Sequence, residues 1–362
     1  MSLSLLSIHN LRNIQSAQIE PSPRLNLLLG ANGSGKTSLL EAIYLLGRGK
    51  SFRSAYSRRI VSYNHPTLTV FAKASTKSGA FNTLGIQIND GKFRAKLNGK
   101  FEQKSSTLAA VIPLLFISPD GDKLIKGSPR QRRRFIDWGL FHVEHEFLSV
   151  WQRYNRILQQ RNAVLRQKSV AMLVSWDEQL VDAALKLNLF RLNYVENLVR
   201  LTKSFMQQLL GIDTVEFSYQ SGWRRGENFE DALKASIESD IRLGFTQKGP
   251  HRADLVMKID GRAAAEYLSG GQQKLAACSL LLAQASVFNQ YKQESCVILV
   301  DDLPSELDLQ HRHLFMDLLY SIGGQVFVTA TDSNLLQLAA YPEKKTFHVE
   351  HGCIISERED GV

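Results

Sequence analysis

Residues 30 to 37 read Gly30-Ala31-Asn32-Gly33-Ser34-Gly35-Lys36-Thr37, set between an apolar run, Leu25 to Leu29, and a helix-like stretch, Thr37 to Leu46. Few segments of this length constrain a fold so tightly. The pattern is G-x-x-x-x-G-K-[ST], in which backbone N–H groups cradle phosphates, the lysine reaches the β- and γ-phosphates and the hydroxyl holds Mg²⁺. It works where a buried strand delivers the loop to a helix N-terminus, whose unpaired N–H groups and positive dipole end add to the field. Strand, loop and helix occur here in that order, so a buried parallel α/β core carrying a nucleoside triphosphate is predicted. The guanine-specifying tetrapeptide Asn-Lys-x-Asp does not occur, which leans the reading toward ATP.

The rest of such a site must come from elsewhere in the chain. Val297 to Val300 form a buried-strand signal ending in Asp301 and Asp302. Asp301 is placed to hold Mg²⁺ together with Thr37, and Asp302 is the candidate base or water-orienting group. With Lys36 these are the predicted catalytic residues. Upstream, Leu268-Ser269-Gly270-Gly271-Gln272 precedes the helix-like Gln273 to Ala285. Ser269 reads either as an ordinary N-cap or as part of a second anion site at a helix N-terminus.

With these pieces in place, the sequence resembles the ATP-binding-cassette ATPases. Ser269-Gly270-Gly271-Gln272 matches their signature motif and Ser305-Glu306-Leu307-Asp308 their D-loop, with Asp308 signalling between the two sites. In that family the signature of one protomer closes over the ATP held by another, so the resemblance implies an ATP-dependent homodimer. The strand-like start, Leu3 to Leu11 followed by Arg12-Asn13-Ile14, points to the chromosome-maintenance and repair branch. Within it the chain is similar to the RecF family of bacterial recombination-repair proteins. The carrying residues are Leu40 to Tyr44, Gly47 to Arg53, Ile117-Ser118-Pro119, Arg132 to Gly139, Gln159 to Asn162, Gly249 to Asp254 and the Asp301-Asp302 pair. The resemblance implies double-stranded and gapped DNA as partner, RecR and RecO as protein partners, and help in loading RecA; composition fits a cytoplasmic location.

Two departures bear on rate. Asp302 stands where the wider family has Glu, and a carboxylate set back by about 1 Å can lose on the order of 10²-fold in rate. The histidine expected after the next strand is missing from Val326 to Asp332. Weak ATPase activity is the expectation, and a non-catalytic, ATP-gated scaffold is the neighbouring alternative. No glutamine marks a Q-loop in Leu114 to Pro119.

Charge locates a second surface. Net charge is +9, and from Lys123 to Lys168 there are 11 Lys and Arg against 3 Asp and Glu. Arg130, Arg132, Arg133 and Arg134 crowd one helix start, and Arg153, Arg156, Arg161 and Arg166 recur at helical steps. Arg130, Arg132, Arg133, Arg134, Arg153 and Arg156 are the candidate DNA contacts; a solvated helix face paired to acids elsewhere is the alternative. A transporter ATPase subunit, the competing class, is disfavoured by this basic, proline-free insertion, since residues 130 to 249 contain none of the 9 prolines. Helices are predicted over Val143–Lys168 and Trp176–Leu210, the latter burying Leu180, Ala183, Ala184, Leu187, Phe190, Tyr194, Leu198, Leu201 and Phe205. Thr67 to Leu97 alternates as an antiparallel sheet with a hairpin at Asn89-Asp90-Gly91.

The predicted architecture is α/β: a cassette-type P-loop ATPase head with an antiparallel β subdomain and an inserted α-helical arm. Residues 1–125 and 246–362 form the head and 126–245 the arm, with a frayed tail from Glu357. The 3 cysteines, Cys278, Cys296 and Cys353, fall in no metal-ligand spacing.

Overall fold

The computed structural model describes residues 1–75, 79–168, 172–302, 306–331 and 341–356. In chain order, β1 (Ser2–Leu11), β2 (Ile14–Ile19) and β3 (Leu25–Leu29) lead to α1 (Lys36–Arg48). Then come β4 (Thr67–Ser75), β5 (Phe81–Asn89), β6 (Lys92–Leu97), β7 (Lys100–Glu102), α2 (Ser105–Val111) and β8 (Leu114–Ile117). A helical stretch follows: α3 (Lys123–Lys126), α4 (Pro129–Val143), α5 (Phe147–Gln167), α6 (Leu173–Leu210), β9 (Val215–Gln220), α7 (Phe229–Ala235) and α8 (Ile237–Leu243). The chain closes with β10 (Asp254–Ile259), β11 (Arg262–Ala263), α9 (Ala264–Tyr267), α10 (Gly270–Lys292), β12 (Val297–Val300), α11 (Leu309–Ile322), β13 (Gln325–Ala330), β14 (Lys344–Glu350) and β15 (Cys353–Ser356).

Residues 1–121 and 288–362 make one compact unit. Its nucleotide-type sheet runs β15-β14-β3-β13-β12-β8, parallel except at β15. Every residue of β3, β12 and β13 is buried, as continuous apolar strands covered on both faces require. Leu114 to Ile117, read only as a possible Q-loop site, is the edge strand β8, pairing Leu114 with Val297 and Ile117 with Val300. The second sheet, β2-β1-β4-β5-β6-β7, is antiparallel. Its strands alternate; in β4, Leu68, Val70, Ala72 and Ala74 point inward while Lys73 is exposed. Both sheets share one core with α1, in which Leu39, Ile43 and Leu46 meet Leu6, Ile8, Val70 and Ile86. Truncating one such leucine to alanine costs about 2–5 kcal/mol.

Residues 122–287 make the second unit. The long helix α6 buries Leu180, Ala183, Ala184, Leu187, Tyr194, Leu198 and Phe205 along one stripe, while Phe190 and Leu201 are only half-buried. It packs on α5, and Gly139 of α4 gives it close approach, since a Cβ there would sit 1.9 Å from the Tyr194 hydroxyl. The three-stranded sheet β11-β10-β9 belongs to this unit. Residues 246 to 287, expected to return to the head, therefore group here: Asp254 is forked by Arg132, and Gln284 Nε2 donates to Phe135 O at 2.7 Å. Ser305, Asp332 and the tail from Glu357 lie outside the described residues.

Candidate nucleotide site and basic helices

The phosphate loop leaves the C-terminal end of β3, where ligands gather in open α/β sheets. Gly30 has φ +156° and a Cβ there would lie 2.2 Å from Val349 O, so only glycine fits between β3 and β14. Ser34 N donates back to Ala31 O at 3.2 Å, closing the loop, and Gly352 N donates to Ser34 O at 2.8 Å. A Cβ on Gly33 would meet nothing within 4 Å, so the loop crest is open. Lys36, at the start of α1, is buried and donates from Nζ to Gly30 O at 2.7 Å and Ala31 O at 3.1 Å. Ser34 Oγ is buried with no hydrogen-bond partner among the described residues.

Thr37 lies against the Asp pair. Thr37 Oγ1 donates to Asp301 Oδ1 at 3.0 Å, and Thr329 Oγ1 donates to the same oxygen at 3.0 Å. Asp302 N in turn donates to Thr329 Oγ1 at 2.8 Å, so the β13 threonine ties both acidic residues to the sheet. Asp302 has φ +48°, the left-handed region, which turns the chain sharply at the strand end. Burial lifts the Asp301 carboxyl above its ordinary range, the Thr329 and Thr37 bonds and Arg53 oppose that, and Asp302 adds to it. Lys36, Thr37, Asn32, Gly33, Gly35 and Asp302 line one cleft of about 420 Å³ with Arg12, Asn13, Ser38 and Arg53.

Four of those lining residues carried no role in the sequence reading. Asn13 braces the loop, donating from Nδ2 to Ser34 O at 2.9 Å while Ser38 Oγ donates to its Oδ1 at 3.0 Å. Arg12 forks onto Glu41 at 2.9 Å to each oxygen, and Glu41, fully buried on α1, also accepts from Ser51 Oγ. Phe52 packs on Phe116 and Tyr44, with ring centroids at 4.2 and 5.2 Å, and the next residue, Arg53, lines the cleft. The runs Arg12-Asn13-Ile14 and Gly47 to Arg53 were visible as family marks; their packing around the loop was not.

The signature residues sit in the second unit. Ser269 Oγ accepts from Gln272 N at 3.4 Å and Ser269 N donates to Gln272 Oε1 at 3.0 Å, a reciprocal cap on α10. Ser269, Gly270, Gly271 and Gln272 are all exposed, and a Cβ on either glycine would meet nothing within 4 Å. The chain's own packing does not demand glycine there. Asp308 caps α11, accepting from His311 N at 3.0 Å, and this bond and the His311 ring hold its carboxyl below the ordinary range.

The arginines divide sharply. Arg132 forks onto Asp254 at 2.7 and 2.9 Å and also donates to Gly127 O, and Arg133 donates to Ala253 O at 2.6 Å, so both are committed to the fold. Arg161, read as part of the basic stripe, is fully buried, held by Asp177 at 2.6 Å and Asp240 at 2.7 Å. Helical steps alone cannot show which side of α5 is covered by α6 and α8. Arg130, Arg134 and Arg156 are exposed, and Arg153 is exposed beside Asp182 at 2.8 Å. Cys278 and Cys296 are buried, their thiols pushed up to about 12.

Comparison with known proteins settles the family. The model of the RecF/RecN/SMC N-terminal domain matches residues 2–354. A DNA replication and repair protein RecF from Pseudomonas paraeruginosa is 42% identical over 357 residues, 97% of each chain. The chain belongs to the RecF family. A RecF from Stutzerimonas stutzeri is 42% identical over 98% of this chain and 97% of its own. Among solved structures, the recombination mediator protein RecF-ATP in the RecFOR pathway superposes with TM-score 0.85 at 25% identity, covering 99% of this chain and 98% of that one. An Smc head bound to the C-terminal winged-helix domain of ScpA shares the fold, with TM-score 0.63 at 16% identity over 99% of this chain and 98% of that one. The cassette-type head with its helical insertion is thereby the fold of a RecF-family DNA replication and repair protein. Among the described residues, no helix is long and apolar enough to cross a membrane.

Proposed function

We propose that this chain is an ATP-dependent DNA-binding protein of recombinational repair, two copies of which close around ATP on double-stranded or gapped DNA and separate after slow hydrolysis. The observation that carries this reading is the convergence of Lys36, Thr37 and Asp302 on one cleft, with Asp301 bonded to Thr37. The residues fit the group. Lys36 spends its ammonium on two loop carbonyls that a phosphate can replace, and the buried Ser34 hydroxyl awaits a partner. Thr37 Oγ1 and Asp301 Oδ1 are hard oxygen donors of the type Mg²⁺ selects. ATP with Mg²⁺ supplies the phosphoryl group and the charge that neutralises it.

In this scheme Lys36 neutralises the outer phosphates, Thr37 and Asp301 hold the metal, and Asp302 orients the attacking water. The backbone N–H groups from Gly30 to Gly35 bind phosphate oxygens. Ser269, Gly270 and Gly271 of one copy, with Gln272, close the other copy's site; their exposure and the empty space above both glycines support that role. Asp308 links the two sites. Arg130, Arg134, Arg153 and Arg156 supply phosphate-backbone contacts, while Arg132 and Arg133 hold α4 in place beneath them. The RecFOR pathway of the ATP-bound relative supports RecO and RecR as partners and RecA loading as the outcome.

The test is fluorescence anisotropy of labelled duplex DNA with ATP, with ADP and without nucleotide, alongside Lys36→Ala. Tight binding with ATP alone, lost in the variant, is the expected result; equal binding in all conditions overturns the coupling. Phosphate release measured in parallel separates a slow ATPase from an ATP-gated scaffold.

A further inference from the structure

Helix α6 carries Leu185, Leu189 and Leu192, spaced i, i+4, i+7, on one face at 47%, 54% and 43% exposure. Isolated exposed leucines are ordinary, whereas three in a row along a face mark a surface that something covers. Leu185 and Leu192 line a cavity of about 1040 Å³ whose opposite wall is the segment 217–229. Its size exceeds what most small-molecule clefts reach, roughly 300–1,000 Å³, and suits a length of chain.

Charge defines the occupant. The charged residues lining the cavity are Arg224, Arg225 and Lys248 against Glu227 alone, and none of the three cations forms an ion pair among the described residues. A polyanion with an aliphatic face matches that surface. Nucleic acid matches it less well, because Trp223, the ring available for stacking, is half-buried against Phe229 at 4.6 Å, and the leucines offer nothing to sugar or phosphate.

We propose that this cleft docks an acidic amphipathic segment of a partner protein. The segment lies along α6 as a helix, its aliphatic side chains on Leu185, Leu189 and Leu192 and its carboxylates toward Arg224, Arg225 and Lys248. It shares no lining residue with the nucleotide cleft, and no arginine of α4 or α5 lines it.

The test uses the full chain and a fluorescein-labelled 18-residue probe with Leu at i, i+4 and i+7 on a Glu-rich background. A scrambled peptide of identical composition and a dT20 oligonucleotide serve as competitors. Binding weakened on the order of tenfold by Leu189→Glu and by Arg224→Glu with Arg225→Glu, with circular dichroism and duplex-DNA binding unchanged, supports the proposal. Equal competition by the scrambled peptide reduces the site to unspecific charge and overturns it. Displacement by dT20, or no binding of the probe, overturns it as well.

Discussion

Thr37 Oγ1 donates to Asp301 Oδ1 at 3.0 Å although the two residues are 264 positions apart in the chain. The bond joins the start of α1 to the end of β12, and Thr329 bonds the same carboxylate oxygen from β13. One helix and two strands thus set the two oxygens that a divalent ion would take.

Thr37→Val removes one donor and leaves Asp301 held by Thr329, so the fold should persist while Mg²⁺-dependent nucleotide binding weakens by roughly tenfold or more. Titration with a fluorescent ATP analogue, with Mg²⁺ and with EDTA, reads this directly. A variant indistinguishable from the parent in Mg²⁺ would remove Thr37 from the metal site.

Ser269→Arg places a long cation where the surface is open, so the monomer should fold and bind ATP normally. Closure of a second copy over that surface should fail. Sedimentation velocity with ATP is the measurement, and a dimer of ordinary strength in this variant would sink the shared-site model.

Asp302→Asn keeps the shape and the backbone bond to Thr329 while removing the carboxylate charge. Steady-state phosphate release should fall on the order of 10²-fold, and the ATP-bound form on DNA should persist longer. Turnover at the parental rate would take Asp302 out of the chemistry.

The arginines of α4 and α5 make opposite predictions. Arg134→Glu, with Arg130→Glu and Arg156→Glu, should flatten the dependence of log K for DNA on log salt by about 0.9 per lost contact at unchanged stability. Arg132→Glu should instead destabilise the fold by about 3–5 kcal/mol, because Asp254 and the new carboxylate would share a poorly solvated site. Salt titrations and urea melts of both variants distinguish the roles; a flattened slope in Arg132→Glu with normal stability would reverse the assignment.

His251 predicts acid sensitivity. Tyr154 donates its hydroxyl to Nδ1 at 2.6 Å and Nε2 donates to Thr246 O at 2.9 Å, so the ring is satisfied as the neutral tautomer. Burial lowers its pKa from 6.5 to about 4, with Arg252 and Arg133 adding to the shift. An unfolded chain takes up this proton near pH 6.5 and the folded chain only near 4, so the stability due to the neutral ring falls as pH drops through that window. The loss should reach on the order of 3 kcal/mol by the lower end. Urea melts from pH 7 to 4 should show a steeper loss for the parent than for His251→Gln; parallel curves would mean the ring does not contribute.

Much of the head was legible in advance because its signals are local. A glycine run between a buried strand and a helix allows few arrangements, and Val297 to Val300 ending in two carboxylates names the metal side of the site. The arm was legible through the spacing of Leu180, Ala183, Leu187 and Tyr194. Its basic face was not, because Arg132, Arg153, Arg156 and Arg161 are alike as letters. One forks onto Asp254, one pairs at the surface with Asp182, one is exposed, and one is buried between Asp177 and Asp240.

The chemistry the chain can offer is written in its residues: a phosphate loop, a hydroxyl and carboxylate for a metal, a signature at a helix start, and an excess of cations in one stretch. Periodicity and turn residues act over a few positions, so these features survive without knowledge of the fold. That Asn13 braces the loop, that Glu41 ties Arg12 to Ser51, and that Thr329 anchors Asp301 and Asp302 together emerges only from the folded chain. Those bonds join residues 10 to 29 positions apart, and their partners exist only once the sheet has brought the strand ends side by side.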